Sequence, residues 1–191
     1  MAAQTLVQVS LVLRLTLGLI FMISALTKLR DVSAFVQGVL EYGVLPRPLA
    51  RLYGRLLPFA ELGTALLLLS GVGLVVAISL AVLLLASFSI ATVAVTVQGR
   101  DIDCHCFGSA RRHSRVGWHT LGRDVALLLL ALRLLETVAT GRRGVRPWFQ
   151  YDPGFVALAF VLAAGLAFTY VLVAEGLDVL VRLAGQRGAE G

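Results

Sequence analysis

The chain has 191 residues, 58% of them hydrophobic and 15% charged, with a mean hydropathy of +0.87 and a net charge of +6. A soluble globule of this size cannot hide so much apolar surface, so the composition excludes a soluble enzyme and points to the membrane. The positive charge does not suggest nucleic acid, because basic residues at the ends of apolar segments set orientation and meet anionic headgroups.

The first apolar stretch, Val9 to Thr27, predicts a membrane helix. It has no basic leader and no small-residue cleavage site before Lys28 and Arg30, so it reads as a retained helix rather than a signal peptide. Arg14 lies within it, and a charge in hydrocarbon is costly unless paired. Glu61, in the next span, is its expected partner, either as a structural pin or with Glu61 as a proton carrier or part of a quinone pocket. Lys28, at the exit of the helix, is expected to snorkel to the headgroups.

Asp31 to Tyr42 places Val32, Phe35, Val36, Val39 and Leu40 on one helical face. This predicts an interfacial amphipathic helix in contact with the membrane, ended by Gly43 and the Pro46/Pro48 pair.

No charge interrupts the 38 residues from Leu62 to Gly99. That exceeds one crossing of about 20 helical residues. Ser70-Gly71-Val72-Gly73 is the natural fold-back point, which predicts spans at Tyr53 to Ser70 and Leu74 to Val97. A fourth span, Leu121 to Val138, is weakened by Arg123, Asp124, Arg133 and Glu136, of which Arg133 and Glu136 are spaced to pair locally. A fifth, Phe155 to Ala174, carries no charge, and Gly185 to Gly191 reads as a polar tail. Nothing alternates with period two as barrel strands would, so the expected fold is an all-α polytopic transmembrane bundle. Residues 1–140 form its membrane domain, and residues 141–191 hold a loop, the fifth span and the tail.

Both cysteines, Cys104 and Cys106, sit in the polar segment between the third and fourth spans, with His105 between them. Phe107-Gly108 follows, then Arg111-Arg112-His113-Ser114-Arg115. A disulfide across C-x-C closes a very small, strained ring, which suits a pair that exchanges oxidising equivalents rather than a structural staple. Metal binding is the rival use, since His105, His113 and His119 add nitrogen ligands, but the spacing is not that of a zinc finger. His119, beside Trp118, reads as an interfacial residue. A structural pair is the third reading.

Four segments together resemble the MauE branch of the DoxX-like membrane proteins. They are Arg14 to Asp31 (RLTLGLIFMISALTKLRD), Pro58-Phe59-Ala60-Glu61-Leu62, Cys104-His105-Cys106-Phe107-Gly108, and Leu121-Gly122-Arg123-Asp124. The resemblance covers about residues 10 to 140 and departs at His105, where a small residue is common. It implies a four-helix DoxX-like core with the fifth span added. It also implies methylamine utilisation or a related maturation pathway, acting in processing, export or disulfide formation of the methylamine dehydrogenase small subunit. The partners implied are a thioredoxin-like protein or a secreted disulfide-containing client.

The first expectation is therefore a thiol–disulfide factor of the bacterial cell membrane. Cys104 and Cys106 form its redox pair, a quinone is the candidate acceptor, and Arg14, Lys28, Arg123, Asp124, Phe107 and Gly108 give support. The alternative is a non-catalytic assembly factor that docks a thioredoxin-like partner, with the cysteines structural or metal-binding. A transporter centred on Glu61 is a third reading, without the paired broken helices such folds use. Sidedness divides the chemistry from the charge count. Disulfide formation belongs outside the cytoplasm. With five spans, however, twelve basic residues fall on the cysteine segment's side and only Arg133, Arg142, Arg143 and Arg146 opposite, which favours the cytoplasm.

Overall fold

The computed structural model describes residues 2–98, 118–140 and 150–187, with side-chain surroundings for 8–98, 120–140 and 150–173. Among the described residues six helices follow one another: α1 (Ala2–Arg30), α2 (Val32–Tyr42), α3 (Arg47–Ser70), α4 (Leu74–Val97), α5 (Trp118–Ala139) and α6 (Pro153–Arg187). Among the described residues there is no strand. Among these residues four segments are long and apolar enough to cross a bilayer: Gln8–Arg30, Arg47–Ser70, Leu74–Val97 and Pro153–Val173. The protein is a multi-pass membrane protein with an all-helical bundle. The expected fourth span is the 22-residue helix α5. It is not among those four, and its four charged residues account for that.

Local chemistry sets the helix ends. The Asp31 side chain accepts the Ala34 amide at 2.9 Å and starts α2, while Gly43, at φ 63°, ends it with its amide donating to the Leu40 carbonyl. The α3–α4 fold-back falls at Gly71 and Gly73, whose φ values of 77° and 58° lie in the left-handed region that glycine adopts without strain. The anticipated polar tail is helical as far as Arg187.

α1 is the central helix, packing against α3, α5 and α6. It runs antiparallel to α3: Lys28 meets Glu61, and a Cβ placed on Gly18 would lie 3.0 Å from the Leu69 side chain. Leu17, Phe21, Leu68, Ile78, Leu85 and Leu134 join the main core. Leu11 and Leu15 pack on Ala159 and Ala163, small residues one turn apart that let α6 approach α1 closely. α2 does not use its apolar face chiefly for lipid. Phe35 and Val36 are buried, and Val36 rests over Gly54 of α3, where an added Cβ would come within 3.2 Å of the Val36 backbone. These pairings bring the C-terminal ends of α1 and α4, all of α2 and the N-terminal ends of α3 and α5 to one end of the bundle.

Candidate functional site

Glu61 pairs with Lys28, not with Arg14. Lys28 Nζ donates to Glu61 Oε1 and, at 3.0 Å, to the Ser24 hydroxyl one helical turn earlier, and Ser24 Oγ donates to Glu61 Oε2 at 3.3 Å. Helix register decides the partner. Arg14 lies about 21 Å along α1 from Lys28, and the antiparallel register, with Lys28 at Glu61 and Gly18 at Leu69, carries it past the end of α3 rather than to Glu61. Arg14 is itself buried near Tyr151 at the other end of the bundle. Nor does Lys28 snorkel. Its side chain is 2% exposed, because α2 lies across the end of α1 and a buried carboxylate is nearer than the headgroups.

Two aromatic rings complete the ammonium's surroundings, with Phe88 at 4.5 Å and Phe35 at 5.2 Å from Nζ to ring centroid. Both distances suit cation–π attraction, which is strongest away from water. Asp124 of α5 faces the same small cavity, of about 50 Å³, and feels the charge of Lys28. Arg123 Nη2 donates to Asp124 Oδ1 at 3.1 Å and lies 6.0 Å from the Tyr170 ring. The cluster thus has two cations and two carboxylates. That balance is what allows it inside hydrocarbon, where a lone charge would not stay.

Beyond Phe35 and Phe88 lies a larger cleft of about 350 Å³ between α2, α3 and α4. It is apolar except at a few points, one being the Tyr53 hydroxyl, 2.7 Å from Ser87 Oγ. Ser87 donates in turn to the Leu84 carbonyl at 2.7 Å. Phe88 lines both spaces.

The tertiary structure thus gathers four of the residues singled out in the sequence: Glu61, Lys28, Arg123 and Asp124. It leaves Arg14 apart from them. Cys104, His105, Cys106, Phe107, Gly108 and His113 lie outside the described residues, as does the side chain of His119. The segment that carries the cysteines leaves α4 after Gln98 and enters α5 at Trp118, at the end of the bundle nearest the cluster. Sequence reasoning did not single out Ser24, Tyr53, Ser87 and Phe88. Ser24 had a signal in its spacing of one turn from Lys28, but the other three are ordinary residues of apolar helices. Arg133 and Glu136 pair as their spacing predicts, at 3.2 Å, on an exposed face. Among the described residues no three His, Cys, Asp or Glu side chains converge as a metal site.

Comparison with known proteins gives consistent matches. The family model described as methylamine utilisation protein MauE matches residues 6–136. The chain is 35% identical over 131 residues to the methylamine utilization protein MauE of Paracoccus denitrificans, covering 68% of this chain and 67% of that protein. Over 119 residues it is 34% identical to the protein of that name from Methylophilus methylotrophus, covering 62% and 63% of the two chains. The one from Methylorubrum extorquens is 34% identical over 112 residues, covering 58% and 60%. The chain thus aligns with 60% to 67% of these relatives' lengths. No solved structure matches.

Proposed function

The chain belongs to the MauE family, and from that membership we propose that it serves methylamine utilisation as a membrane-embedded thiol–disulfide maturation factor. Cys104 and Cys106 are the working pair. In the oxidising direction, a client thiolate attacks one sulfur of the Cys104–Cys106 disulfide, and the second client thiolate then attacks the mixed disulfide. The client gains one S–S bond and the pair leaves as a dithiol, so two electrons pass from client to pair. The client class is an exported protein whose fold needs disulfides, such as the methylamine dehydrogenase small subunit that the family resemblance suggests. A thioredoxin-like protein is the partner class that shares this chemistry.

The observation that carries the reading is the joint placement of two features. The chain's only two cysteines lie one residue apart. Their segment joins the bundle at the end where Lys28, Glu61, Arg123 and Asp124 are gathered. The Lys28–Glu61 pair ties α1 to α3 at that end, and Arg123 and Asp124 of α5 line the same cavity, so the helix that follows the cysteine segment begins beside the ionic cluster. Glu61 is the cluster's carboxylate closest to an ammonium and is the proposed proton-exchanging group.

Alkylation trapping tests the proposal. A Cys104→Ser or Cys106→Ser variant cannot form the Cys104–Cys106 disulfide and so transfers none, and a mixed disulfide formed on its remaining thiol lacks the neighbouring cysteine that would release it by back-attack, while the double variant forms no mixed disulfide. Loss of client maturation in all three completes the result. Full maturation with the double variant would leave a non-catalytic assembly factor as the reading.

A further inference from the structure

We propose that the cleft between α2, α3 and α4 is a binding site for an isoprenoid quinone of the membrane. Its size, about 350 Å³, falls in the range of small-molecule pockets and exceeds what an unfilled packing defect leaves. Its mouth faces lipid, where Val44, Leu45 and Ile90 are 41%, 40% and 65% exposed, so a ligand enters from the bilayer and its tail remains there. The inner wall is aromatic, formed by Phe35 and Phe88, and suits a flat ring.

The hydroxyl pair distinguishes this occupant from an acyl chain. A chain needs no polar partner, whereas a quinone presents two carbonyl acceptors. Ser87 sends its proton to the Leu84 carbonyl, so Tyr53 donates to Ser87 and can turn that donation to a ligand carbonyl while Ser87 keeps its own bond. Behind Phe88 stands Lys28, 4.5 Å from the ring centroid and paired with Glu61.

Binding stands on this geometry alone, and the electron transfer it serves rests on the thiol–disulfide reading above. There, the Cys104 and Cys106 thiols give up two electrons and two protons as their S–S bond forms. The quinone takes both electrons and two protons on its carbonyl oxygens and leaves as quinol. The dithiol is the reductant and the quinone the oxidant.

The test uses the full chain in phosphatidylcholine nanodiscs with a photoreactive short-chain benzoquinone, its crosslinks mapped by mass spectrometry. Labelling is expected on α2 and on α4 around Ser87 to Thr92, competed by unlabelled quinone and not by an alkyl alcohol of equal length. Ala91→Phe, which fills the cleft, lowers labelling about tenfold, Tyr53→Phe lowers it less, and Leu83→Phe on the lipid face of α4 leaves it unchanged. Labelling spread over the lipid-facing surface, or displaced equally by the alcohol, would overturn the site and make the cleft an acyl-chain groove. The redox step is read separately from pre-reduced, desalted protein. One quinol per wild-type chain and none from the Cys104→Ser/Cys106→Ser variant, with labelling equal in both, supports the site and its use. Labelling without quinol in either sinks the thiol reading and leaves the site standing.

Discussion

At the scale of single residues, the decisive contact joins Lys28 to Glu61, side chains 2% and 1% exposed. Removing one member strands the other charge in a low-dielectric interior, a loss of about 3–5 kcal/mol. Lys28→Met is therefore expected to lower the thermal midpoint in detergent sharply, and Lys28→Met/Glu61→Met to recover much of it, because the double variant leaves no orphan charge. Equal losses in single and double variants would show that the pair stabilises through something other than charge balance. Arg14→Met makes a second comparison. Since Arg14 sits at the opposite end of the bundle, its effect should add to that of Lys28→Met, as independent distant sites do. The presence of buried charge was legible in the sequence, because Arg14 and Glu61 fall within apolar spans. Which charges meet was not, since it depends on where α3 lies along α1.

At the scale of elements, α2 shows how a short amphipathic helix is claimed by its neighbour. Its caps and apolar face were readable from Asp31, Gly43 and the spacing of Val32, Phe35, Val36 and Val39. Its partner was not, because lipid and protein offer an apolar stripe the same chemistry. The structure places Val36 over Gly54, where an added Cβ would sit 3.1 Å from the Val36 side chain and 3.2 Å from its backbone, tighter than ordinary contact. Gly54→Val should displace α2, raising amide exchange across Val32 to Tyr42 by about tenfold or more, while exchange in α6 stays unchanged. Unchanged exchange in α2 would mean the two helices adjust without separating. Pro58, inside α3, removes the donor that the Gly54 carbonyl would otherwise use. Close approach and the missing hydrogen bond thus fall on the same turn of the helix.

For the whole molecule, the arrangement puts the C-terminal end of α4, the N-terminal end of α5, α2 and the buried ionic cluster at one end, and the side of the membrane on which that end lies becomes the main functional question. A disulfide-forming role predicts that maleimide labels Cys104 and Cys106 from the extracytoplasmic side of sealed vesicles, and only after reduction. Labelling from the cytoplasmic side without reduction would favour the positive-inside count and turn the pair towards reductant transfer or assembly. The sequence alone determined that the protein is a helical membrane protein, where its helices turn, and to which family it is similar. Those properties rest on apolar length, on glycine and proline, and on short motifs, all of them local in the chain. Only the tertiary structure decided that Lys28 rather than Arg14 neutralises Glu61, that Asp124 joins them, and that Tyr53 meets Ser87 beside a cleft. The reason is geometric. Such contacts join residues 33 or more positions apart, and the register between helices follows from side-chain packing along their full length, which no local pattern records.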